Sequence, residues 1–390
     1  MADAALAPIL DALQTVLGGE RPVALHAPQF EGHEWDYLKD CLDTGWVSTA
    51  GGYVERFEQA LCEATGIGQA IAVVNGTAAL HLACRLAGVA PGDEVLLPSL
   101  TFVATANAVS YCGAMPHLVE VSPDTLGVDP AALAAHLEDI AEMRDGVCHN
   151  RRSGRPLRAL IVMHTFGHPV ELDAVAAVCE RYRITLIEDA AEALGSRYQE
   201  RHVGHWGRLG ILSFNGNKIL TTGGGGAILT NDAQLADRAR HLSTTARQPQ
   251  GWNFFHDELG YNYRLPNINA ALGCAQLEQL PERLAAKRAL AGRYQAAFRD
   301  CPGARMIEEP ADSRSNYWLN ALCLDSADEA LRDALLAACE ARGIQARPLW
   351  TPMHRLPMYR DCPRMALGVT EDLARRIVCL PSSAHLGVTA

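Results

Sequence analysis

The sequence predicts an α/β protein, with a mostly parallel mixed sheet between helix layers and a smaller α+β unit behind it. Three observations predict this. Short, continuously apolar runs alternate with helical patterns through the middle of the chain, the character of strands buried on both faces. The pattern changes near residue 265, where a long helical stretch begins. The length, 390 residues with 48% hydrophobic and 20% charged usage, exceeds one simple domain and supports a sizeable core.

The elements follow in order. The opening MADAALAPILDALQTVLGGERP has acids at Asp3 and Asp11 and no basic leader, so it reads as an amphipathic helix and not a signal peptide. Residues 1–50 are expected to pack on the small domain or across a subunit interface. AIAVV (70–74) is a strand followed by a helix from Thr77. EVLLP (94–98) leads into a helical TFVATANAVSYCG. ALIVMHTF (159–166) precedes a helix with Leu172, Val175, Val178, Cys179 and Tyr182 on one face. ITLIED (184–189), LGILSFN (209–215) and GAILTND (226–232) complete a large domain over 51–265. The polar stretch 142–158 reads as an exposed loop. The unit over 266–390 begins with a long helix interrupted at Pro281. A strand in NYWLNALCLD, a helix ending on Gly343 and a strand in IQARPLW follow.

Composition excludes several classes. Thirty-four basic against forty-five acidic residues give −11, which disfavours nucleic acid and anionic membranes, since both need a positive field. A local basic pocket for a phosphorylated small molecule stays open. No uninterrupted apolar run is long enough to span a bilayer, and a cytoplasmic protein is expected. The twelve cysteines are scattered singly, with no CxxC pair. They read as reduced, small hydrophobes, with zinc or a disulfide framework as the alternatives and no metal site expected.

Three motifs carry chemistry. In NGTAALHLA (75–83) a strand ends, Gly76 follows and Thr77 opens a helix, so free N–H groups and a hydroxyl can hold an anion. An ordinary helix cap is the alternative. In LIEDAAEALGS (186–196) Asp189 falls at the carboxyl end of a strand, where open α/β sheets bind ligands. Glu188 and Asp189 diverge on an extended backbone, so only one faces the site. The alternative for Asp189 is a helix-capping acid. In SFNGNKILTTGGGGAILTND (213–232) Lys218 precedes four glycines. It is a buried amine able to form a Schiff base beside close-packed backbone, or else part of a surface loop. Together an anion site, a carboxylate and a lysine on successive strand ends match one cofactor, pyridoxal 5′-phosphate. Its phosphate needs N–H and hydroxyl donors, its ring nitrogen a carboxylate and its aldehyde an amine. Phe102, in PSLTFVATANA, is an aromatic that can cover the ring, or plain core.

The order NGTAALHL, PSLTFVATANA, IEDAAEALGS, SFNGNK and GYNYRLPNINAALGCAQLE resembles the DegT-type sugar-nucleotide aminotransferases of the aspartate-aminotransferase superfamily (fold type I). The resemblance runs from about residue 25 to the C-terminus. HAPQFEGHEWDYLKDCLDTGWVSTAGGYVERFE, SFNGNK and SNYWLNA resemble its legionaminic acid and bacillosamine branch. The resemblance implies that Lys218 is the Schiff-base lysine and proton shuttle, and Asp189 the partner of the ring nitrogen. It implies phosphate ligands at Thr77, Ala78 and Ser213 beside Gly76, a ring-stacking Phe102, and Glu192 where relatives carry Gln or His. Asn262 resembles a residue reaching the phosphate of a neighbouring subunit, so a two-fold homodimer is implied, and Arg264 is placed near the substrate. His164 lines the pocket or is a satisfied buried histidine. Trp46, His256 and Tyr317 are sugar or nucleotide contacts, with packing the alternative for Trp46 and Tyr317. Met353, Pro357 and Tyr359, in TPMHRLPMY, shape a C-terminal loop with no chemistry assigned.

The implied reaction moves an amino group from L-glutamate to C4 of a nucleotide-linked 4-keto-6-deoxy sugar, a UDP- or GDP-linked 2-acetamido-4-keto hexose of a legionaminic acid-type pathway, with Lys218 as general base and acid. Alternatives are a 3-aminotransferase or dehydratase of the same family, or a non-catalytic relative. Relatives that dehydrate replace the lysine by histidine, and this chain keeps it.

Overall fold

The computed structural model describes residues 2–248 and 252–388. Its centre is a seven-stranded sheet. The strands run, in spatial order, Gln69–Val73, Gly226–Thr230, Leu209–Ser213, Thr185–Asp189, Leu157–Met163, Glu94–Pro98 and Met115–Val119. All point the same way except Gly226–Thr230, which is antiparallel to both neighbours. The sheet is therefore mostly parallel and mixed.

Alternation within each strand explains the continuous apolar runs. Ile71, Val73, Val95, Leu97, Ile161, Ile187 and Ile211 face one apolar layer. Ala70, Ala72, Leu96, Leu160, Val162, Leu186 and Leu212 face the other. Helices cover both sides, so both faces of these strands are lined mainly by apolar side chains. Gly76–Leu86, Val103–Tyr111 and Ala233–Ser243 contribute to the first layer, and Gly52–Thr65, Leu172–Tyr182 and Asn267–Glu278 to the second.

The small unit has an antiparallel sheet in the order Ala304–Met306, Asn320–Leu324, Ile377–Leu380 and Arg347–Pro348. The opening helix Ala2–Leu17 packs Leu6, Ile9, Leu13 and Val16 against Leu290, Tyr294 and Leu335 of this unit. Glu34–Thr44, by contrast, packs on Asn267–Glu278.

Three expectations change. The long helix is two helices, Asn267–Glu278 and Leu280–Phe298, broken at Gln279, and Pro281 sits in the first turn of the second, where a missing N–H is harmless. The supposed loop 142–158 contains a hairpin, Ala141–Arg144 with Val147–Asn150, turned by Asp145 and Gly146 at positive φ. The strand in IQARPLW shrinks to Arg347–Pro348. Among the described residues no helix is long and apolar enough to cross a membrane. The cysteines are free.

Candidate active site

The parallel strands deliver their carboxyl ends to one edge of the sheet, and the antiparallel Gly226–Thr230 strand begins at that same edge. The end of the Thr185–Asp189 strand supplies Asp189, which is buried. Its Oδ2 accepts from Thr105 Oγ1 at 2.8 Å, and its Oδ1 from the Ala191 N–H at 3.2 Å. Burial pushes its carboxyl above the usual range, against the pull of Thr105. A cation on the free side of this group would reverse that shift.

Glu188 faces the opposite way, as alternation requires. It accepts from the N–H groups of Gly204, Trp206 and Gly207 and pairs with His164 Nε2 at 3.1 Å. His164 is fully buried, and its Nδ1 accepts from the Val170 N–H. It is thus a satisfied buried histidine and not a pocket-lining one.

Lys218 follows the Leu209–Ser213 strand in a tight turn closed by its own N–H on Asn215 O. Its side chain is only 13% exposed, with Nζ 3.3 Å from Glu192 Oε1 and 4.0 Å from the centre of the Trp318 ring. Trp318 is fixed by Nε1 donating to Asn217 O at 2.7 Å. Glu192 receives the Phe166 N–H on Oε2 at 2.9 Å. Burial pushes the Glu192 carboxyl up to about 7, although Lys218 opposes the shift.

The anion end is built from Asn75 and Gly76. Asn75 caps the Gly76–Leu86 helix by accepting the Ala78 N–H at 2.7 Å. Ala78 is therefore not a free phosphate donor here. The helix geometry leaves the Gly76 and Thr77 N–H groups outside its own ladder. Ser213 lies across from them, since a Cβ on Gly76 would come 2.9 Å from the Ser213 Cβ. A Cβ on Gly226 would stand 2.6 Å from Asn75 C and 2.7 Å from Gly76 N. At this position the glycine run serves close packing against the helix start.

The remaining expected residues scatter. Phe102 caps the Val103–Tyr111 helix and is 49% exposed. Arg264 is taken up by Glu58 and by Ala72 O at 3.3 Å. Tyr317 is buried, with its hydroxyl accepting from Gln295 Nε2 and the Glu309 N–H. The Tyr317 hydroxyl is thus held inside its own chain, while Arg264 also borders a cavity with Asn262 and Thr244. Trp46 is 57% exposed and holds Asn267 through its carbonyl. His256 is exposed, with Nδ1 on Thr245 O, and Asn262 is exposed and bridged to Thr244 through the backbone. A cavity of about 920 Å³ borders Glu171, Arg299, Arg305 and Glu309 and touches none of the expected residues.

Sequence reasoning missed Asn75, Thr105, Asn316 and Trp318. Asn316 Nδ2 bonds the carbonyls of Glu192 and Leu194 at 2.9 Å, so it shapes the turn carrying Glu192. The SNYW motif signalled this region, but its tyrosine is structural while the flanking residues reach the site.

The donor set fits pyridoxal phosphate. Free N–H groups at a helix start suit its phosphate. A buried carboxylate raised by desolvation suits a protonated ring nitrogen, and a sheltered amine suits its aldehyde.

Residues 28–389 match the model of the DegT/DnrJ/EryC1/StrS aminotransferase family. The chain is similar to the putative pyridoxal phosphate-dependent aminotransferase EpsN of Bacillus subtilis, 39% identical over 94% of this chain and 92% of that one. It is similar to GDP-perosamine synthase of Caulobacter vibrioides, 37% identical over 94% of each. The crystal structure of the aminotransferase TlmJ from Streptoalloteichus hindustanus superposes with a TM-score of 0.83 at 30% identity, covering 92% of this chain and 93% of that one. Neither relative's name carries the legionaminic acid or bacillosamine assignment. With a sheltered lysine, a buried carboxylate and an open helix start gathered at one sheet edge, the chain belongs to the DegT/DnrJ/EryC1/StrS aminotransferase family.

Proposed function

We propose that this pyridoxal phosphate-dependent aminotransferase moves an amino group from L-glutamate to C4 of a nucleotide-linked 4-keto-6-deoxy sugar. The convergence of Lys218, Asp189 and the Gly76–Thr77 helix start on one edge carries the reading. The GDP-perosamine synthases among its relatives favour a GDP-linked acceptor over a UDP-linked one.

Bound pyridoxal phosphate supplies the electron sink and carries the amino group between donor and acceptor. The Gly76 and Thr77 N–H groups, with the Thr77 and Ser213 hydroxyls, would hold its phosphate. Asp189, steadied by Thr105, would hold a proton on its ring nitrogen. Phe102 would cover one ring face. Lys218 Nζ gives and takes the proton at the reacting carbons, and Glu192 keeps that amine oriented through its 3.3 Å contact. Trp318 shields it from water, which keeps the transferred proton within the site.

A two-fold homodimer supports this arrangement, because Asn262 is exposed on its own chain and free to reach a neighbour's phosphate. Trp252, Phe254 and Phe255 on the same connection are exposed apolar surface that a second copy would cover.

The test is a panel of GDP- and UDP-linked 4-keto and 3-keto sugars with glutamate, read by mass and NMR. A 4-amino product with stoichiometric 2-oxoglutarate is expected. A 3-amino product would move the assignment to the other position, and no amination of any sugar would overturn it.

A further inference from the structure

The segment 349–354 leaves the small sheet and docks on the 99–102 turn at the carboxyl edge of the large one. The Met353 N–H donates to Ser99 O at 2.8 Å, and His354 Nδ1 meets Ser99 Oγ at 2.8 Å. Glu371 receives the other side of that imidazole, so His354 has no free nitrogen. The preceding side chain, Trp350, is different. It is only partly buried and meets two aromatic rings, Phe166 tilted at 41° with centroids 5.4 Å apart and Phe102 edge-on at 61° and 6.4 Å. Each of those residues adjoins the reacting groups. Phe166 donates its N–H to Glu192, and Phe102 begins the helix whose Thr105 holds Asp189. Through these two neighbours the indole lies beside the residues that flank Glu192 and Asp189.

We infer that Trp350 is a specificity-determining residue that stacks on the hexose ring of the nucleotide sugar and takes no part in recognising the amino donor. This rests on the reading proposed above. Glutamate is a short chain with charge at both ends, which an uncharged aromatic face cannot select. A hexose ring presents C–H groups on its faces, and these pack on an indole as other apolar surfaces do. The partial exposure leaves area for such a ring, and the Phe102 and Phe166 contacts fix the plane of the indole before substrate arrives.

The test uses the cofactor-loaded protein, Trp350→Ala and Trp350→Phe. Calorimetric binding of GDP-mannose and of free GDP is measured, and each half-reaction is followed separately by absorbance. Trp350→Ala is expected to weaken GDP-mannose about three- to tenfold while free GDP is unchanged. KM for a GDP-linked 4-keto-6-deoxy hexose rises by a similar factor, the glutamate half-reaction holds its rate, and Trp350→Phe restores most of the loss. Equal loss for GDP-mannose and GDP would place the indole on the nucleotide and overturn the inference. Parallel loss in both half-reactions would make the residue merely structural and also overturn it. If the unaltered protein aminates no nucleotide sugar while glutamate still reacts, the reading of the acceptor falls first, and that failure is recognisable without the variants.

Discussion

Replacing Gly226 by alanine tests whether the anion end of the site depends on backbone packing. A Cβ there would sit 2.6–2.7 Å from the backbone atoms of Asn75 and Gly76. Ordinary carbon contacts begin near 3.5 Å, so strand and helix start must separate by about 1 Å. None of the close atoms belongs to a flexible side chain, and overpacking of this kind costs about 1–3 kcal/mol. If the strain falls on the Gly76–Thr77 donors, cofactor affinity drops about five- to 150-fold at 1.36 kcal/mol per decade. The assay is titration of apoprotein with pyridoxal phosphate, followed by visible absorbance, beside urea unfolding of the same apoprotein. Gly292→Ala is the control, since it lies inside Leu280–Phe298 with no heavy atom within 4 Å of the added methyl. That change should stabilise by about 0.5–1 kcal/mol without altering cofactor affinity. Wild-type affinity and stability in Gly226→Ala would refute the argument that the glycine is there for the helix start.

Three further outcomes are expected. Asp189→Asn should lower turnover at least about a hundredfold, because a neutral amide cannot keep the ring nitrogen protonated. Apoprotein stability should not fall, since burial already disfavours that charge, and urea unfolding beside steady-state kinetics checks both. Glu192, pushed by burial to about 7 from an ordinary value near 4.5, binds a proton on folding between those values. Apoprotein stability should therefore fall as pH rises through this window, by about 3 kcal/mol, and Glu192→Gln should flatten that fall in urea titrations at pH 5 and 8. Lys287 has the opposite sign. Burial lowers it to about 7 from 10.5, so the unfolded chain binds the extra proton and stability rises with pH above 7. Its neutral amine can donate to Trp318 O and Ser382 O and accept from His26 Nε2. Between pH 7 and 9.5 the native protein should gain about 3 kcal/mol relative to Lys287→Met in urea unfolding.

The strands of the large sheet were legible because burial on both faces leaves a run such as ALIVM with no polar interruption. The site was legible where a residue's role is set by its place on a strand end. Asp189 follows an apolar run, and alternation correctly separated it from Glu188. Lys218 stood beside the glycines that the antiparallel strand brings to the same edge. What stayed hidden depends on contacts between distant segments. Thr105 reaches Asp189 across 84 residues of sequence, and Asn316 reaches Glu192 across 124. No local pattern encodes either approach. The ion pair of Arg264 stayed hidden for the same reason, since Glu58 reaches it across 206 residues, whereas Tyr317 takes the packing role weighed as its alternative. Pro281 misled because a proline inside a helical pattern reads alike whether it interrupts one helix or opens the next.

The chain's lysines are Lys39, Lys218 and Lys287, an exposed one in a helix, the site amine and a buried one. Borohydride reduction of the cofactor-loaded protein, followed by peptide mapping, therefore separates them without ambiguity. The pyridoxyl mass is expected on the peptide containing Lys218 and should disappear in Lys218→Ala. A label on Lys39 or Lys287, or undiminished labelling of Lys218→Ala, would contradict it.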